Sequence, residues 1–86
     1  MDTFDTIHRL AADLLKMPVD ILMQAATLDE AGLDSLTFVD LVFAIEARFA
    51  VAMPAADLDR VRSLRDLAVI VDRLVGREAQ SHDEPP

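Results

Sequence analysis

At 86 residues the chain can enclose one hydrophobic core and not two, and without cysteine it has neither a disulfide nor a thiolate ligand or nucleophile of its own. An apolar fraction of 52% excludes a disordered chain, while only two glycines favour helices over a turn-rich β sandwich. The net charge of −8 argues against nucleic acid and anionic lipid as partners and for proteins with basic patches.

The first element is read from Phe4, Ile7, Leu10, Ala11, Leu14 and Leu15, which recur at helical spacing over residues 3–16 behind Asp2 or Thr3 as N-cap. Its opening, MDTFDTIHRL, is acidic and amphipathic rather than a leader, and no apolar run reaches membrane-spanning length. A cytoplasmic protein with no stable membrane insertion is expected. Pro18 ends this helix by disfavouring helical geometry at Met17. Residues 17–33 then mix Pro, Asp, Thr and Gly with scattered apolar positions, and read as a long ordered loop anchored inward by Val19, Ile21, Leu22 and Leu28.

Gly32 closes the loop and Asp34 is a good N-cap for a helix over residues 35–50. Phe38, Leu41, Val42, Ile45 and Phe49 fall on one side of that helix and form its core stripe. Leu36, Val39, Phe43 and Ala47 follow the same spacing on the opposite side, interleaved with Asp40 and Glu46. Either the loop or the next helix covers this second stripe, or it is a docking face ringed by acids. Exposure of Phe43 favours docking, and burial counts against it.

After Pro54 a short helix in AADLDRV turns Leu58 and Val61 inward. Ser63 and Asp66 form a capping box, and the last helix faces the core with Leu64, Leu67, Ala68, Val71, Leu74 and Val75. Gly76 is expected to end it, leaving 1–76 as the domain and 77–86 as a flexible tail. The charge is uneven along these elements. Residues 1–47 hold nine acids and two bases, whereas 48–80 hold five acids and six bases.

Ser35 stands at the start of the second long helix, where unpaired amides and the positive end of the helix dipole suit a phosphate ester. A serine there is ordinarily only a cap or filler, so its context decides. That context is G-L-D-S-L at 32–36, then Asp40, Leu41 and Val42, then Glu46 and Phe49, then Met53-Pro54, then Ser63, Leu64 and Asp66. Over about residues 3–75 this pattern resembles the acyl carrier protein family.

The resemblance implies an all-α four-helix bundle with three main helices, one short helix and a long first loop. It implies that a phosphopantetheinyl transferase, using coenzyme A and magnesium, attaches 4′-phosphopantetheine to Ser35. Cargo would then ride as a thioester on the arm's thiol. Asp34, the acid before the serine, would contact magnesium or the transferase, although capping alone accounts for it equally well. Leu36, Val39, Asp40, Phe43, Glu46 and Ala47 are the expected partner-binding residues. The expected partners are that transferase, an acyl-loading ligase or transferase, and synthases or acyltransferases with basic docking patches; the carrier is expected to be a monomer and not an enzyme. Fatty-acid, lipid or polyketide biosynthesis is the implied setting. Thr37 after the motif, Ala47 and Arg48 late in the helix, and the bases Arg60, Arg62 and Arg65 depart from the family's usual acids and point to a specialised pathway. Phe38, Ile45, Leu58 and Leu67 are candidates to line an acyl pocket.

Two rival readings stay open: an aminoacyl or peptidyl carrier, and an unmodified interaction module. Other chemistry finds little support. His8 and His82 are too far apart in sequence for metal-ligand spacing, Asp57-Leu-Asp59 lacks the glycine and glutamate of a calcium loop, and no imidazole lies near Ser35 in sequence to make it a nucleophile.

Overall fold

The computed structural model describes residues 2–83, with side chains described as far as Gly76. Among the described residues there are six helices and no strand: α1 Thr3–Leu15, α2 Val19–Leu22, α3 Leu28–Ala31, α4 Ser35–Phe49, α5 Ala55–Leu58 and α6 Leu64–Asp83. The three long helices and short α5 are the expected bundle. The long loop differs from the expectation in holding two further one-turn helices.

Local chemistry explains where each helix begins and stops. Asp2 caps α1 by accepting from the Asp5 amide at 2.8 Å, and Lys16 ends it in left-handed geometry, with the Met17 amide returning to the Ala12 carbonyl at 3.1 Å. Ala50 ends α4 in the same way, the Val51 amide donating to the Glu46 carbonyl at 3.2 Å. Neither position is glycine, so both turns hold a side chain in a conformation that L-residues rarely adopt.

In the loop, Thr27 caps α3 through the Glu30 amide, and the Glu30 carboxylate reaches back to the Ala26 amide at 2.7 Å. Gly32, with φ of 85°, ends α3 and redirects the chain into α4. The Leu28 amide donates to the Arg62 carbonyl at 3.0 Å, tying the loop to the α5–α6 junction. Leu22, Ala31 and Leu33 are buried and hold the loop to the core, with Val19 and Leu28 packed at its edge. Ile21 is not an anchor. It is about half exposed, because in a one-turn helix whose buried side is occupied by Leu22 the adjacent residue turns outward.

The core runs between α1, α4 and α6, where Ile7, Leu22, Leu41, Ile45, Leu67 and Val71 are fully buried. Each such side chain contributes roughly 1.5–3 kcal/mol by leaving water. The Ser63 hydroxyl accepts from the Asp66 amide at 3.2 Å, and the Asp66 carboxylate returns to the Arg62 amide at 2.8 Å, so the capping box forms with its return bond one residue upstream. Thr3 also bonds Asp72 across the α1–α6 interface. Ile70 is buried beside Leu67 and Val71, whereas Val75 is 39% exposed and not part of the inward row.

Gly76 does not end the last helix. Its φ is not positive, and the backbone stays helical to Asp83. Arg77, Glu78, Ala79 and Gln80 are strong helix formers that outweigh the roughly 1 kcal/mol penalty of one interior glycine. The segment expected as a tail is therefore helical over 77–83, while 84–86 lie outside the described residues.

Candidate functional site

The site is built by the turn from α3 into α4. Gly32 reverses the chain, Leu33 plugs into the core, and Asp34 adopts extended geometry so that its carboxylate accepts from the Thr37 amide at 2.8 Å. Donation from the Thr37 amide, followed by the Thr37 hydroxyl, holds the Asp34 carboxyl below its ordinary value. Since Asp34 supplies the cap, Ser35 does not have to, and its exposed hydroxyl sits at the first position of α4. The Ser35 amide precedes the first helical bonds and the Leu36 amide faces the Asp34 carboxylate, so the positive helix end lies beside that hydroxyl.

Ser35 borders a cleft of ≈ 330 Å³, walled on its apolar side by Leu28, Leu33, Phe38, Val39, Leu58 and Val61. Phe38, Val39 and Leu58 also wall a second cleft of ≈ 290 Å³ that runs on between α4 and α5 toward Met53 and Ala55. Of the four residues expected to line an acyl pocket, Phe38 and Leu58 border both clefts. Ile45 and Leu67 are fully buried in the close-packed interior and border neither cleft.

The second stripe of α4 is uncovered. Leu36 is 75%, Val39 45% and Phe43 63% exposed, and Asp40 and Ala47 are exposed with them. Neither the loop nor α5 folds over Phe43, so the docking condition set by the sequence is met. Glu46 is placed differently. It is half-buried, and its carboxylate accepts from the Met53 amide at 2.8 Å, holding the α4–α5 loop against the helix. That tether was not legible in sequence, since it depends on the left-handed turn at Ala50 bringing residue 53 back beside residue 46.

His8 belongs to the helix packing rather than to the surface. It is buried on α1, its Nδ1 lies 2.8 Å from the Phe4 carbonyl, and its ring packs on Phe4 at 4.1 Å between centroids. The Arg65 guanidinium lies over the other partner of that pair, 5.0 Å from the Phe4 ring centre. Arg73 pairs with Asp57 at 2.9 Å. Arg60, Arg62 and Arg65 are exposed. Among the described residues there is no cluster of three or more potential metal ligands, and no helix is long and apolar enough to cross a membrane.

The amino-acid sequence matches known proteins over most of its length. The family model for the phosphopantetheine attachment site matches residues 5–70. An acyl carrier protein of Campylobacter jejuni subsp. doylei is 31% identical over 75 residues, covering 86% of this chain and 97% of its own. The acyl carrier protein of Campylobacter lari is 28% identical over 75 residues, with the same shares of the two chains. Acyl carrier protein AcpXL of Mesorhizobium japonicum is 40% identical over 53 residues, covering 60% of this chain and 57% of its own.

The chain belongs to the acyl carrier protein family. It is a phosphopantetheine-dependent carrier of acyl groups; proteins of this family carry rather than catalyse, and they act with synthases and transferases. Covalently bound, 4′-phosphopantetheine supplies the thiol that this cysteine-free chain lacks, and acyl groups form thioesters with it. The residues around Ser35 fit such a group, with an exposed serine for the ester, the positive end of α4 for the phosphate and an apolar cleft for the arm.

Proposed function

We propose that Ser35 is the residue that carries the phosphopantetheine arm and that Asp34 supports its attachment. The observation carrying this assignment is the placement of an exposed Ser35 hydroxyl at the start of α4, capped by its neighbour and opening onto the cleft of Leu28, Leu33, Phe38 and Leu58. The carrier unit is residues 1–76, with 77–86 an appendage outside the function. The protein catalyses nothing itself.

Leu36, Val39, Asp40, Phe43 and Ala47 form the face that partners read, with Glu46 at its edge fixing the adjoining loop. The partners are a phosphopantetheinyl transferase, an acyl-loading ligase or transferase, and synthases or acyltransferases that meet this apolar, acid-rimmed surface with basic patches. The reading places the chain in the cytoplasm, as a monomer, serving a specialised lipid, fatty-acid or polyketide pathway. Thr37, Ala47 and Arg48, which make the face less acidic than in general carriers, support that specialisation, as does the identity to AcpXL.

The test is intact-mass spectrometry after incubation with coenzyme A, magnesium and a broad-specificity phosphopantetheinyl transferase. Native protein gains one phosphopantetheine and Ser35→Ala gains none. A folded native chain that gains nothing would refute the assignment and leave an unmodified interaction module.

A further inference from the structure

Helix α5 owes its position to polar ties more than to packing. None of its four residues is buried. From Pro54 to Arg60 the chain spans two buried anchors, Met53 and Val61, with only Asp57 and Leu58 half-covered between them. A helix of one turn has no stability of its own, so contacts with its neighbours decide where it lies.

Those contacts matter because α5 walls both apolar clefts. Leu58 borders the cleft beside Ser35, and Ala55 and Leu58 border the one that runs on toward Met53. Facing them across the second cleft are Phe38, Val39, Val42 and Phe43 of α4. Apolar walls on either side of open, wetted space attract, so α5 left to itself would settle onto α4 and close that cleft.

Two ties oppose this. At the root of α5 the Glu46 carboxylate accepts from the Met53 amide and fixes where the chain leaves α4. On the side away from α4, the Asp57 carboxylate pairs with the Arg73 guanidinium of α6 at 2.9 Å. Both residues line a third cleft, of ≈ 230 Å³, which separates α5 from α6. The pull of the pair is therefore toward α6 and away from the apolar clefts. Among the described residues it is the only ion pair, the other engaged carboxylates being bound to backbone amides or, for Asp72, to a hydroxyl.

We infer that Arg73 is a positioning residue for the cargo: through Asp57 it holds α5 toward α6, keeps the cleft between α4 and α5 open, and so sets how long an acyl chain the carrier accommodates. This rests on the reading that the arm is attached at Ser35 and that its cargo lies in the clefts. An exposed ion pair is weak, and here weakness is useful, since it biases the position of α5 and still lets the wall yield to the chain that enters.

The test compares native protein, Arg73→Gln, Asp57→Asn and the exchanged pair Asp57→Arg with Arg73→Asp. Each is loaded with a butyryl, octanoyl or dodecanoyl arm from the matching acyl-coenzyme A by a broad-specificity phosphopantetheinyl transferase, and the gain in melting temperature over the arm without cargo is measured. In native protein the gain climbs with chain length. In both single variants the butyryl gain is kept while the dodecanoyl gain falls by about half, because closing one of two clefts of ≈ 290 and ≈ 330 Å³ removes roughly half the room. The exchanged pair restores it. A pair that served stability alone would lower every melting temperature alike and leave the gains unchanged; that result overturns the inference, and so does an exchanged pair that fails to restore the dodecanoyl gain. The position of α5 is also read without any arm: nuclear Overhauser contacts between Leu58 and Phe43 in the unloaded chain strengthen in both single variants and relax in the exchanged pair. Contacts that do not change overturn the inference, whereas failure of the native chain to accept the arm refutes the assignment of Ser35 and leaves the contacts to decide the role of Arg73.

Discussion

Helix α4 is apolar on two sides for two different reasons, and a matched pair of truncations separates them. Ile45 is fully buried and Phe43 is 63% exposed, two residues apart on the same helix. Ile45→Ala leaves a cavity that the close-packed interior fills only in part, costing about 3 kcal/mol within the usual 2–5. At roughly 4–8 °C per kcal/mol for a domain of this size, the melting temperature falls by roughly 12–24 °C. Phe43→Ala removes a larger side chain but little buried area, and changes stability by no more than about 0.5 kcal/mol. Urea and thermal denaturation followed by circular dichroism measure both. Acyl transfer to a partner enzyme should show the reverse order, with Phe43→Ala impaired and Ile45→Ala normal while folded. A loss above about 2 kcal/mol for Phe43→Ala would mean that the stripe is covered in solution, and the docking face would have to be abandoned.

Asp34 can be divided in the same spirit: Asp34→Asn keeps the cap and loses the charge, Asp34→Ala loses both, and a modification rate lowered in Asp34→Asn with its melting temperature retained would assign the carboxylate to the transferase reaction. Because hydrogen bonding lowers the Asp34 carboxyl, the cap's contribution is complete above the ordinary value of 3.8 and is lost as pH falls through the lower folded value; the Thr37 amide resonance should move in that range and stay still in Asp34→Asn. Ala50→Gly relieves a left-handed alanine at the end of α4 and should raise stability by about 0.5–1 kcal/mol in denaturant titration, whereas no gain would mean that the entropy of the unfolded chain offsets the relief. An acyl chain lying in the open clefts of Phe38, Val39 and Leu58 buries about half its surface, so stability should climb by about 0.4 kcal/mol per methylene until the clefts are filled, and a melting temperature independent of chain length would place the cargo outside them.

Much of this fold could be read from residue order, for identifiable reasons. α1, α4 and α6 each bury a stripe at helical spacing and open on a side-chain cap, so periodicity and caps agree on where they begin. The helices within residues 17–33 escaped because a single turn shows no periodicity, and Ile21 was misplaced because adjacent apolar residues in one turn cannot both face inward. Gly76 misled since glycine ends a helix only when the backbone takes positive φ there, as Gly32 does and Gly76 does not. At the site, Ser35, its cap and the two-sided α4 were visible as pattern. The Glu46–Met53 tether, the unlinked Ile45 and Leu67, and the His8–Phe4–Arg65 stack were not, because each depends on how separate elements meet in space.

The open stripe of Leu36, Val39 and Phe43 also sets a condition on how this protein can exist in a crowded solution. Three large apolar side chains on one small surface are as ready to meet a second copy as a partner enzyme, and a symmetric pairing of two α4 helices would hide them from every client. The net charge of −8, concentrated in the half of the chain that contains α4, opposes such pairing. If the stripe is the docking face proposed above, the acids around it would select partners twice, drawing in surfaces of opposite sign and turning away the commonest competitor, the carrier itself. High salt or acidification should weaken both effects together, so that self-association appears under the same conditions in which docking fails.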